Sequence, residues 1–485
     1  MRRAVIYDLL VIGGGINGAG IARDAAGRGL ATLLVERDDL AGATSSASSK
    51  LIHGGLRYLE QFEFRLVAEA LAEREILLRI AGHLAWPVHF VMPHVPELRP
   101  RWMIRTGLFL YDHLARRSVL PASQAVRLDA PPYAAGLQPR LKYGFVYSDC
   151  RVDDARLVVA NVLDAQRRGA RVMVRTECRS ARREGDLWRA RLANGEEVSA
   201  RAIVNAAGPW VKHVLNERLG QPSRDAVRLV KGSHIVLPRL YEGEHAFIVQ
   251  NDDRRVVFII PFEERFTLIG TTDVPVNEVH SEPTDQEVQY LCAAASRYLA
   301  RPVDRAQLVW RYAGVRPLYD DGSADPSSIT RDYTLRLDHD HGGAPVLSVF
   351  GGKITTYRRL AEQALKKLAP YFPQMTRPWT AAAALPGSEF TSRIAAQQEV
   401  FARYRALPRP VVHGVFRRHG SETPSVLGDG RLGEDYGGGL TERELRYLLE
   451  HEWARTADDV LWRRTKCGLH MSPAQRRRVA EVIGR

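Results

Sequence analysis

The chain has 485 residues, 45% hydrophobic and 26% charged, which suits a globular protein of two or three domains and excludes a disordered or fibrous one. Lys plus Arg exceeds Asp plus Glu by 69 − 56 = 13, a balance that favours anionic partners. Cys150, Cys178, Cys292 and Cys467 are widely spaced with no C-x-x-C pair, which argues against a disulfide scaffold or a zinc site, so no metal centre is expected.

The segment Asp8–Arg37, DLLVIGGGINGAGIARDAAGRGLATLLVER, reads as an apolar strand, a glycine turn, a small-residue helix and a second apolar strand. Gly13, Gly15 and Gly18 stand at G-x-G-x-x-G spacing directly after the first strand. Gly13 permits the tight turn, Gly15 lets backbone approach a pyrophosphate, and Gly18 lets the helix pack on the strand. Free amides and the positive dipole end near Ile16 suit that pyrophosphate, and Glu36 is placed to accept both ribose hydroxyls of an adenosine. The N-terminus is therefore expected to bind a dinucleotide.

A small, hydroxyl-rich loop follows, TSSASSKLIHGGLRYLE, and then a helix is predicted over 62–80. Residues 87–100 read as extended, and 101–117 as a helix with a broad apolar face between basic ends. Residues 150–168 read as a helix and 170–191 as strands with a turn at Gly185. RAIVNAAGPW is a further nucleotide-domain strand whose small residues, Ala207 and Gly208 among them, suit close passage beneath a cofactor. Residues 211–330 alternate like an inserted, largely antiparallel sheet. LSVFGGKITTYRRLAEQALKKL returns to strand, glycine turn and helix, and the proline-rich 371–387 reads as a linker. Thr441 with Glu444, and Ser472 with Gln475, have capping-box spacing in a helical C-terminal region.

At this level the blocks IGGGINGAGIARDAAGRGL, TSSASSKLIHGGLRYLE, KGSHIV, IGTTD, GVRPL, ITRDYTL, SVFGGKITTYR and ADDVLWRRTK resemble the aerobic, FAD-dependent, quinone-reducing glycerol-3-phosphate dehydrogenases of bacteria. The resemblance runs from the first strand to the last 30 residues. It implies an α/β fold like that of D-amino-acid oxidase: a Rossmann-like FAD domain, an inserted mixed or antiparallel β substrate domain and an α-helical C-terminal domain. The expected boundaries are 1–80, 146–215 and 331–370 for the FAD domain, 81–145 for a substrate or cap segment, 216–330 for the substrate domain and 388–485 for the helical domain. The implied chemistry is oxidation of sn-glycerol 3-phosphate to dihydroxyacetone phosphate with non-covalent FAD, electrons passing to membrane quinone.

For the phosphate, the resemblance points to Arg316, Arg331 and Lys353, with Tyr58 and Thr271 as polar contacts; guanidinium forks and a compact ammonium suit a dianion. For the cofactor it points to Gly13, Gly15, Asn17, Gly18, Glu36, Thr44, Ser45, Ser46, Ser49, His53, Gly54, Gly55, Cys178, Ala207, Gly208, Gly352, Lys353 and Thr355, with Gly54 and Gly55 clearing space for the ring. Hydride leaves the carbinol carbon for the flavin while a base takes the hydroxyl proton. His53 and His234 are the candidate bases, His53 preferred, and Arg316 stabilises developing alkoxide.

MRRAV leads into the first strand without a signal peptide, and no apolar run reaches the ~18 residues of a spanning helix, so a peripheral enzyme on the cytoplasmic side of the inner membrane is expected. Trp102, Met103, Ile104, Leu108, Phe109, Leu110 and Leu114, with Arg99, Arg101, Arg105, Arg116 and Arg117, form a candidate patch for an anionic membrane surface. Arg463, Arg464, Lys466 and Arg476–Arg478 either add attraction to lipid or solvate their helices. The nearest rival is a glycerol-3-phosphate oxidase that reduces oxygen; it is disfavoured because the later insertion of such oxidases is missing. A nucleic-acid partner is not expected, since no basic run interleaves with aromatics. A homodimer is left open.

Overall fold

The computed structural model describes residues 5–117, 119–223, 225, 227–253, 255–279, 282–320, 332–339 and 343–484. The chain crosses repeatedly between two sheets. Strand β1 (Ile6–Ile12), helix α1 (Ile16–Gly27) and β2 (Thr32–Val35) begin the first sheet. The next elements build the second: β3 (Leu51–Ile52), α2 (Phe64–Ile80), β4 (Ala85–Pro93), α3 (Arg101–His113), β5 (Gln124–Arg127) and β6 (Tyr143–Val152). Helix α4 (Asp154–Arg167) returns to the first sheet for β7 (Arg171–Met173), β8 (Cys178–Glu184), β9 (Leu187–Leu192) and β10 (Glu197–Asn205).

After the short helix α5 (Val211–His213), the second sheet gains β11 (Val227–Pro238), β12 (Ala246–Gln250), β13 (Val256–Phe262), β14 (Phe266–Gly270), β15 (Val274–Val276), α6 (Asp285–Ser296) and β16 (Trp310–Tyr319). The first sheet closes with β17 (Thr334–Asp338), β18 (Val346–Phe350) and α7 (Tyr357–Leu368).

In the first sheet β18, β10, β1, β2 and β7 run parallel, with β17 antiparallel at the edge. The pairing sets Val11 beside Val204 and Leu34. These strands are continuously apolar because both faces are covered. Helices α1, α4 and α7 bury one face, around Leu9, Val11, Val158 and Leu360; β8–β9 and α5 bury the other, around Leu10, Leu33, Trp188 and Val211. The second sheet is antiparallel except where β12 pairs with β4.

Three expectations need correction. Cys150 sits in β6, not in a helix; Asp153 accepts the Arg156 N–H as the cap, and α4 starts at Asp154, four residues later than read. Because β6 belongs to the second sheet, the domain boundary at 146 falls inside a strand.

Residues 371–387 are no loose linker either, since Phe372, Thr380 and Leu385 are buried. The Trp379 ring lies where a Cβ on Gly27 would stand, 2.1 Å from its carbons, and is flanked by the Arg23 and Arg168 guanidinium groups at 4.8 and 3.8 Å.

Beyond it, α8 (Arg393–Arg403), α9 (Arg409–His419), α10 (Thr423–Leu427), a small hairpin, α11 (Glu442–His451) and α12 (Pro473–Ile483) form the helical unit. Ser472 and Gln475 make the expected reciprocal cap. At α11 only half of it forms: Thr441 accepts the Glu444 N–H, but the Glu444 carboxylate turns to Arg418 and His419.

Candidate active site between the two sheets

A cavity of about 340 Å³ lies between the C-terminal ends of the parallel strands and the face of the second sheet. That is where an open α/β sheet binds ligands, because the helix N-termini and flexible turns converge there. Gly13 adopts φ +114°, and a Cβ on it would stand 2.5 Å from the Ala206 carbonyl oxygen. A Cβ on Gly18 would fall 1.9 Å from the Gly13 carbonyl oxygen, so α1 packs on the turn only because that residue is glycine. Gly13, Gly15 and Asn17 line the cavity, while Gly18 supports them from behind.

Glu36 also lines it. Its carboxylate accepts the Gly14 N–H at 2.6 Å and the Asp38 N–H at 2.8 Å; burial raises its pKa and these two donors lower it in part. Asn17 donates Nδ2 to the Gly351 carbonyl at 3.1 Å, and its buried Oδ1 has no hydrogen-bond partner among the described residues. Cys178, Ala207, Gly208, Gly352, Lys353 and Thr355 complete this wall. The Cys178 thiol is pushed up to about 12 by burial and is chemically quiet there.

The hydroxyl-rich loop crosses the floor. Thr44 Oγ1 donates to the Val315 carbonyl at 2.6 Å, Ser45 Oγ accepts the Ile16 N–H at 2.9 Å, and Ser49 Oγ lies 2.9 Å from His234 Nε2. Ser46 is not on the cavity wall: its hydroxyl turns back to the Ala43 carbonyl. Ser48, which the sequence reading passed over, does line it, and its Oγ donates to Asp154 at 2.8 Å.

Gly54 and Gly55 lie behind the cavity wall rather than on it. A Cβ on Gly54 would meet Leu71 and the Tyr111 hydroxyl, and one on Gly55 would meet the Tyr58 ring.

The opposing wall brings His53, Tyr58, His234, Thr271 and Arg316 into the same cavity as Lys353. Lys353 Nζ sits 4.0 Å over the Tyr58 ring. One terminal nitrogen of Arg316 donates to Asp273 at 2.7 Å and to the Thr272 carbonyl at 3.2 Å. Gly232, in the KGSHIV block, makes room for this pair: a Cβ there would stand 2.6 Å from Thr271 Oγ1 and 3.0 Å from the guanidinium. Arg331 lies outside the described residues.

The two histidines differ. His234 stacks on Tyr312 at 4.9 Å, and burial together with Lys50 and Arg316 lowers its pKa to about 3. Neither ring nitrogen of His53 has a hydrogen-bond partner among the described residues; burial lowers its pKa, Asp149 opposing and Lys353 and Arg74 adding to the effect.

Residues 8–358 match the family described as FAD dependent oxidoreductase, and residues 379–484 match the C-terminal domain of alpha-glycerophosphate oxidase. The chain is 51% identical to the glycerol-3-phosphate dehydrogenase of Pseudomonas aeruginosa, over 99% of this chain and 95% of that one. It is 50% identical to the aerobic glycerol-3-phosphate dehydrogenase of Escherichia coli, over 98% and 97%. Identity to the D-erythritol 1-phosphate dehydrogenase of Brucella abortus is 49%, over 97% and 96%. The crystal structure of a glycerol-3-phosphate dehydrogenase from Bacillus halodurans complexed with FAD superposes with a TM-score of 0.72 at 25% identity, over 99% of this chain and 94% of that one.

Fold and cavity together define an FAD-dependent oxidoreductase of the D-amino-acid-oxidase type. The glycine cradle, the acid at the end of β2 and the orphaned Asn17 oxygen are the donor and acceptor set such a dinucleotide needs. Within that class the chain belongs to the glycerol-3-phosphate dehydrogenase family, which at this level of identity includes a D-erythritol 1-phosphate dehydrogenase.

Proposed function

We propose that the protein oxidises sn-glycerol 3-phosphate to dihydroxyacetone phosphate and passes the electrons to membrane quinone. The observation that carries this reading is the presence of Arg316 and Lys353 in one cavity with the glycine cradle. Bound FAD supplies the two-electron acceptor. Arg316 and Lys353, joined by Arg331, bind the phosphate dianion; Asp273 holds one end of the Arg316 fork and so aims the rest. Tyr58 and Thr271 orient the polyol hydroxyls. A neutral ring nitrogen of His53 takes the hydroxyl proton, while Arg316 steadies the developing alkoxide. His234, held to Ser49 and Tyr312, sets the floor of the site and does not act as the base.

Quinone stays in lipid, and no described helix is long and apolar enough to cross a membrane. Helix α3 offers a surface for lying on one. Trp102, Met103, Phe109 and Leu110 are exposed along one side, at 71%, 42%, 56% and 36%, with Arg101, Arg105 and Arg116 at the surface among them. Leu108, read as part of that patch, instead packs inward beside Tyr111. Three of the expected C-terminal cations are poor candidates for lipid contact: Arg464 and Lys466 are buried, and Arg463 is paired with Asp39 and Asp459.

An anaerobic titration of the yellow protein tests the substrate. Glycerol 3-phosphate should bleach the flavin at far lower concentration than glycerol. Equal potency of the two would overturn the cationic-pocket reading, and a clear preference for D-erythritol 1-phosphate would move the assignment to that relative's substrate. Peroxide yield under air, set against reduction of a quinone analogue, separates the oxidase reading from the dehydrogenase.

A further inference from the structure

The cofactor-facing loop between β2 and β3 is held by one short segment of the C-terminal unit, directly at its start and through the first residues of α4 at its end. At its start, Asp39 is 2% exposed; Arg464 forks onto its carboxylate at 2.7 and 2.9 Å, and Arg463 Nε adds a third bond at 2.6 Å. The next residues carry this position to the glycine turn. Leu40 lies within 2.9 Å of where a Gly14 Cβ would stand, and the Ala41 N–H donates to the Gly14 carbonyl at 3.1 Å.

At the loop's end, Lys466 pairs with Asp153, the cap of α4. The adjacent Asp154 carboxylate holds Ser48 and Lys50 at 2.8 Å each. A third tie runs through Asp459, which Arg463 and Arg175 share; the Arg175 N–H donates to the Asp38 carbonyl at 3.0 Å.

We propose that the segment Trp462–Lys466 is a clamp on the FAD-binding loop, and that Arg463, Arg464 and Lys466 are positioning residues for cofactor retention. Buried ion pairs contribute little net stability compared with apolar packing of equal volume, so their worth lies in the geometry they impose. Here that geometry is delivered to Gly14 and to Ser48, the latter in the cavity wall. The C-terminal unit thereby has a task in the active site although none of the clamp residues lines the cavity.

The test compares FAD release from diluted holoenzyme, read as recovered flavin fluorescence, with the thermal midpoint of the same samples. Arg464→Met and Asp39→Asn should each speed release about tenfold or more, and the double variant should add little to Asp39→Asn because both break the Arg464–Asp39 pair. Arg418→Met is the comparison: it breaks a buried pair with Glu444 wholly inside the C-terminal unit, and should lower the midpoint while leaving release within about twofold.

Arg463→Lys, which keeps a charge beside Asp39 but loses the fork, provides the milder variant if Arg464→Met does not fold; it should speed release severalfold. The proposal fails if these loop-contact variants lose midpoint as Arg418→Met does yet release FAD at the wild-type rate. Wild-type protein that carries no flavin would instead overturn the class assignment itself.

Discussion

The Tyr111 hydroxyl accepts the Gly54 N–H at 2.8 Å and donates to Asp149, also at 2.8 Å, so the surface helix α3 is tied to the residue that follows His53. Arg74 also donates to that carboxylate, to Oδ1 at 2.7 Å. Tyr111→Phe leaves a buried N–H and part of a carboxylate unsatisfied, which costs ~1–3 kcal/mol. A denaturant midpoint shifted by that amount, together with slower anaerobic flavin reduction, is the expected outcome. An unchanged midpoint would show that another group satisfies Gly54.

Burial holds the His53 pKa below 6.5, with Asp149 opposing and Lys353 and Arg74 reinforcing. A base must be neutral to act, so single-turnover flavin reduction should fall as pH drops through a midpoint below 6.5. His53→Ala should lose that acid limb and slow the step by ~10²–10⁴-fold. Persistence of the limb in the variant would remove His53 from the role.

Two glycines of the cradle separate crowding from backbone conformation. Gly18→Ala drives a methyl into the Gly13 carbonyl and should cost more than the ~1–3 kcal/mol of ordinary overpacking, with loss of FAD. Gly208→Ala meets no atom within 4 Å but must hold φ +56°, a cost of ~1–2 kcal/mol. Comparable destabilisation of the two would contradict the packing described for α1.

Glu287, on α6 against β11 of the second sheet, gives a pH signature. Burial alone would raise its pKa, but Lys231 at 2.8 Å, the Thr284 N–H and the Ser233 hydroxyl lower it to about 2. A carboxyl whose folded pKa lies below its unfolded value adds stability that is complete above ~4.5 and is lost as pH falls towards 2. Wild type should therefore exceed Glu287→Gln by at most ~3 kcal/mol at neutral pH, and the gap should narrow only below about pH 4.5. A gap that does not vary with pH would mean the stabilisation is not ionic.

Replacing Trp102 and Phe109 by Ser removes two large exposed side chains from α3. Each is worth ~1.5–3 kcal/mol on transfer from water, so binding to anionic vesicles should weaken at least about tenfold while flavin reduction by substrate is retained. Undiminished vesicle binding would place the membrane contact elsewhere.

The β1–α1–β2 unit was legible because one short stretch carries its strand, turn, helix and terminal acid. Much of the cavity's far wall could be named only through the KGSHIV, IGTTD and GVRPL blocks, since His234 lies in β11, Thr271 just past the end of β14 and Arg316 in β16, strands joined by register. Proline density made 371–387 look loose, although Phe372 and Leu385 pack against helices of the first sheet. Charge density made Arg463, Arg464 and Lys466 look solvent-facing. Their carboxylate partners, Asp39 and Asp153, lie 424, 425 and 313 residues away in the chain, beyond any local pattern. Within TSSASS, composition cannot say which hydroxyl faces inward, because the local turn at Ala43–Ala47 decides it.

The Trp379 ring seated on Gly27 makes the protein hard to divide. Cutting the chain near residue 370 to isolate a catalytic fragment would uncover the backs of α1 and α4 and leave Arg23 and Arg168 without the indole between them. Proteases should accordingly find no easy nick between the catalytic portion and its helical tail, and any shortened version would have to carry this stretch with it.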